Sequence, residues 1–121
     1  MRYLLLCYDD EAIWDNLPDS EQQQLIEETC RHVEQLQSRD QLRSAAPLHP
    51  TTMATSVRVR EGKRLVTDGP FAETREQLGG FYVIDANNLD EAIGIAARHP
   101  GVRWGTVEIR PIREIPGLPN G

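Results

Sequence analysis

At 121 residues the chain is long enough for one two-layer core and too short for a cofactor domain beside a substrate domain. Its 13 basic and 19 acidic side chains give a formal charge of −6, which argues against nucleic acid as a partner and favours small molecules or other proteins. The 39% hydrophobic fraction is modest, so an oligomer would help bury it, and the two cysteines lack metal-type spacing or a disulfide framework, as expected of reduced thiols in a cytoplasmic protein.

Arg2 to Tyr8 is apolar on both alternating faces, so it predicts a strand covered on both sides. Asp9, Asp10 and Glu11 end that run too early for a signal peptide or a membrane span and suggest an acidic loop. A helix opens at Pro18-Asp19-Ser20, with Ser20 and Gln23 at capping-box spacing and Leu25, Ile26, Thr29, Val33 and Leu36 inward, and closes near Arg39 or Asp40. Leu42 to Leu48 reads as a second strand. Met53 to Arg60 reads as a third, with Met53, Thr55, Val57 and Val59 on a buried face. Glu61-Gly62 turns the chain into a hairpin return over Lys63 to Thr67. A strand over Gly80 to Asp85 follows. A helix capped by Asn88 and Glu91 comes next, with Leu89, Ala92, Ile93 and Ala96 packing inward, and Thr106 to Ile112 is the last strand. Residues 1–115 form one domain, and Pro116 to Gly121 reads as a mobile tail.

That order predicts an α+β, ferredoxin-like sandwich with an inserted β-hairpin. Two helices cover one face of such a sheet, so the doubly apolar first strand asks for a second layer. A second copy of the sheet is the simplest candidate.

Thr67 to Gly80 is the densest segment of the chain. Asp68 can bond the backbone ahead of it, Gly69 permits positive φ and Pro70 fixes its own φ, so the three form a rigid corner that delivers Phe71 to one place, expected in the core. Asp68-Gly69-Pro70-Phe71, with Gly80-Phe81-Tyr82-Val83-Ile84, Leu89-Asp90-Glu91-Ala92 and Gly105 to Pro111, resembles the DGPF-domain branch of the YCII-related family. The resemblance implies a homodimeric α/β barrel with clefts near the subunit contact. It also implies a chemistry known for some members, in which a first-helix histidine and a downstream aspartate act as a dyad, one class removing chloride from an aromatic intermediate. His32 and Asp40 are the nearest counterparts here. DGPF-type proteins are often encoded beside extracytoplasmic-function sigma factors, which implies a non-catalytic regulatory module as the alternative.

No phosphate loop, dinucleotide fingerprint, zinc pattern or nucleophile elbow is present, so neither a cofactor nor a metal is expected. His32 lies at the border of the first helix's inner face, where it would either reach a cleft for acid–base work or rest on the helix surface. Asp68 is its second candidate partner, or a turn residue satisfying local N–H groups. His49, Arg58, Phe71 and Arg110 are candidates for holding a small acidic or aromatic ligand. Arg58, Arg60, Glu108 and Arg110 read first as a cross-strand ion ladder, and His99 as a helix-end charge. The functional expectation is a cofactor-free lyase or isomerase using His32 or His49 with Asp68 or Asp40.

Overall fold

A computed structural model describes all residues, Met1–Gly121. Strand β1 (Arg2–Asp9) leads through a short helix α1 (Glu11–Asn16) and a long helix α2 (Asp19–Ser38) to β2 (Leu42–Pro47). A hairpin of β3 (Thr55–Arg60) and β4 (Lys63–Asp68) precedes β5 (Gln77–Asp85), helix α3 (Leu89–Ala97) and β6 (Thr106–Pro111). One four-stranded sheet has the order β2-β5-β1-β6, antiparallel throughout, and β3 pairs with β4 alone. This is the ferredoxin-like α+β arrangement with an inserted hairpin. The four-stranded sheet remains open.

Register explains the core. Tyr3 lies opposite Ile84, and Leu5 lies between Tyr82 and Ile109, so the alternate side chains of three strands point to one side. There they meet Leu36 of α2 and Ala92, Ile95 and Ala96 of α3, all buried. Leu5, Leu36, Ile84 and Ile95 are within 1% of complete burial, and truncating any of them to alanine would cost roughly 2–5 kcal/mol. The other sheet face carries Leu4, Leu6 and Phe81, half-buried, and Val83, against which the backbone of Gly121 lies. Arg2 donates to the carbonyls of Asn120 and Gly121 and so holds the C-terminal residues there.

Several local expectations change. The acidic loop contains α1, because Asp10 caps it by accepting from the Ala12 amide at 3.0 Å. Ser20 lies inside α2 and forms no cap; Pro18 precedes the helix instead. Helix α3 is turned so that Ile95 is buried while Leu89 and Ile93 are about half exposed. Its Asn88 cap is present, with the side chain accepting from the Glu91 amide at 2.9 Å.

The hairpin departs furthest from its expectation. Both turn residues have positive φ, 52° at Glu61 and 73° at Gly62, as a tight two-residue turn requires. Yet Val57, Val59 and Val66 are each about 60% exposed, so β3 has no buried face. Met53 belongs to a 3-10 turn over Thr51–Met53 and is exposed too. At the Asp-Gly-Pro corner, Gly69 adopts φ 103° and its amide donates to Ala54 at 2.7 Å. The positive φ expected at Gly69 is present, but Phe71 beyond the corner is 75% exposed and does not enter the core.

Candidate functional site

The polar side chains that the fold gathers under its helices come from three elements. Period-2 alternation along β5 puts Tyr82 on the helix side, opposite Leu5 and Ala45, where its body is buried. His32 points down from α2 and is 5% exposed. His99 follows the last turn of α3, its amide bonded to Ala96, and starts the 3-10 turn Pro100–Arg103. The imidazole lies where a side chain on Gly101 would stand, since a Cβ there would be 2.8 Å from His99 Nε2.

The three rings touch. Tyr82 Oη and His99 Nδ1 are 3.2 Å apart, and the ring centroids are separated by 5.4 Å for Tyr82–His99, 5.9 Å for His32–Tyr82 and 6.2 Å for His32–His99. Burial, then the neighbouring His32, pushes the His99 imidazole down to about 4. Burial, then Arg98, lowers His32 as well. Burial, followed by the thiols of Cys7 and Cys30, raises the Tyr82 phenol. Near neutrality all three groups are uncharged. When the phenol donates to Nδ1, His99 carries its own proton on Nε2.

No carboxylate joins this cluster. Asp40, two residues past the end of α2, has positive φ and a side chain 91% exposed that pairs with Arg43. Asp68 is exposed at the end of β4, opposite Thr55, and bonds neither histidine. His49 is exposed between β2 and the 3-10 turn. Arg58 lies 4.7 Å above the Phe71 ring, so two of the candidate ligand residues do meet, but on the hairpin. Arg110 is on β6, 3.4 Å from Glu108, on the sheet face away from the helices. The expected ladder joining Arg58 and Arg60 to Glu108 and Arg110 is absent, because the two pairs of residues sit in different sheets.

A groove of about 380 Å³ runs along α3, lined among others by Arg39, Gln41, Glu91 and Arg98. Neither Arg39 nor Arg98 is in an ion pair. Gln41 donates to Glu91 at 2.7 Å, while its Oε1 is the buried side-chain oxygen without a partner. Arg98 also acts by its charge on His32, although none of the three ring residues lines the groove. Pattern reading finds His32 but assigns His99 to a helix end. The missing signal is strand alternation, which points Tyr82 at the space where both imidazoles arrive.

The chain matches the YCII-related domain over residues 1–116 and is a member of that family. It is also 37% identical over 114 residues, covering 93% of this chain and 92% of its counterpart, to an uncharacterised protein of Rhizobium meliloti (strain 1021).

Proposed function

We propose that the protein binds a small organic acid, with His32, Tyr82 and His99 recognising it as uncharged hydrogen-bonding groups. The observation that carries this reading is the 3.2 Å Tyr82–His99 contact between two groups that are both neutral near pH 7. An imidazole held down at about 4 is a weak proton acceptor at neutral pH, and no carboxylate raises its basicity. Such a group serves better to orient a ligand than to deprotonate one. Unpaired Arg98 and Arg39 suit the ligand's anionic end, and Gln41 Oε1 lacks a donor that a ligand hydroxyl or amide would supply.

The lyase or isomerase reading with Asp68 or Asp40 as partner has less support, since both carboxylates lie away from His32. The DGPF branch remains the closer resemblance within the family, carried by Asp68 to Phe71, and with it comes a homodimer whose second copy would cover Leu4, Leu6 and Phe81.

The test is histidine-resolved NMR during titration with a panel of benzoates, phenols and short hydroxy acids. Saturable changes at the His32 and His99 rings are expected for at least one anionic member, with affinity falling about ten-fold or more in His99→Gln, the loss of one well-placed hydrogen bond. Changes confined to His49, or unchanged affinity in both His32→Gln and His99→Gln, would remove the cluster from the site.

A further inference from the structure

The β3–β4 hairpin is an unpartnered two-stranded arm. Eleven of its twelve strand residues are exposed, Ser56 alone being half-buried. A lone hairpin is marginally stable in water, and this one is anchored at its root, where Ser56 Oγ donates to the Gly69 carbonyl at 2.8 Å. Its register sorts the outer residues into two faces. Val57, Val59 and Val66 share one side with Arg64, whereas Arg58, Arg60, Lys63 and Leu65 share the other. A cationic face with the exposed Leu65 among its charges, on an acidic protein, calls for an acidic surface with apolar spots.

The chain itself carries that surface. From Asp9 to Asp40 it has ten carboxylates against two arginines, Arg31 and Arg39, while Thr55 to Asp68 has four cations against Glu61 and Asp68. On α1 and α2, Asp15, Asp19, Glu21, Glu27 and Glu34 are exposed and none is ion-paired. Ile13 and Ile26 lie among them, 39% and 46% exposed. Arg60, Lys63 and Arg64 are likewise unpaired. The complementary halves of one contact are thus present on the same chain and unused within it.

We infer that the β3–β4 arm docks on the α1–α2 face of a second copy of this chain through its cationic side, with Arg58, Arg60 and Lys63 against the helix carboxylates and Leu65, on the same side and 47% exposed, over Ile13 and Ile26. The contact is reciprocal, each copy giving one arm and receiving one. It rests on the homodimer proposed above and adds a second seam, separate from the open sheet face.

Lys63 is the chain's single lysine, which makes the test direct. Natural-abundance and ¹⁵N-labelled chains are unfolded, refolded together and treated with a zero-length carbodiimide coupler, and the products are mapped by mass spectrometry. Mixed-label links from Lys63 to carboxylates between Asp9 and Asp40 are expected. Sedimentation should show the dimer at least ten-fold weaker in Arg58→Glu/Arg60→Glu and in Glu21→Arg/Glu27→Arg, and restored when all four changes share one chain. Charge-swap rescue excludes simple misfolding as the cause. A wild-type monomer would overturn both this contact and the homodimer. A dimer whose Lys63 links are same-label only or land elsewhere, or one that keeps its strength with the arm reversed, would overturn the arm alone.

Discussion

His99 shows how a single side chain acquires a pH dependence from where its ring is stored. An unfolded imidazole takes up its proton near pH 6.5, whereas the folded His99 does so only near 4. Between those values the unfolded chain binds more protons, so stability is complete above about pH 6.5, declines as the pH falls through the window, and stops changing from this source below about 4. His32 is displaced in the same direction and adds to the slope. The decline attributable to His99 should be at most about 3 kcal/mol, since each tenfold loss of proton affinity on folding corresponds to about 1.4 kcal/mol. Urea unfolding between pH 4 and 7 measures it. Because His32 is one cause of the depression, His32→Gln should move the NMR titration of His99 upward and flatten the curve. A slope unchanged in His99→Gln would assign the effect to other groups.

At the scale of elements, strands and helices are legible where local pattern and local cover agree. The alternation in β1 and β5, the Asn88 cap and the Glu61-Gly62 turn are of this kind. The hairpin itself is legible too, but its cover is not, because Thr55, Val57 and Val59 alternate in the same way whether this chain, another chain or water lies on them. Phe71 belongs with it: corner chemistry fixes where the ring goes, but only the tertiary arrangement decides whether anything is there. Phe71→Ala should therefore change the unfolding midpoint little, within about 0.5 kcal/mol, since an exposed ring has little burial to lose. The join before β6 gives the opposite case. A Cβ on Gly105 would lie 2.0 Å from the Tyr8 carbonyl oxygen, at the end of the β1–β6 pairing, and backbone cannot yield as a flexible side chain would. Gly105→Ala should cost about 3 kcal/mol or more, readable in the same urea experiment. The histidine–tyrosine cluster is half legible: a border position on α2 marks His32, while pairing His99 with Tyr82 takes a register spanning three strands.

On the scale of the whole molecule, the charge is divided rather than spread, acidic over α1 and α2 and basic along the hairpin, and the two sheet faces differ in how completely they are covered. The strand order has a further consequence for how the chain is made. In β2-β5-β1-β6, each strand from the first half lies only against strands from the second half. While the first sixty residues leave the ribosome, β1 and β2 have no partner to pair with, and sheet formation waits for β5. Until then the apolar strand Arg2–Asp9 is left open to chaperones and to other nascent chains, so synthesis passes through an interval in which protection must come from outside the polypeptide.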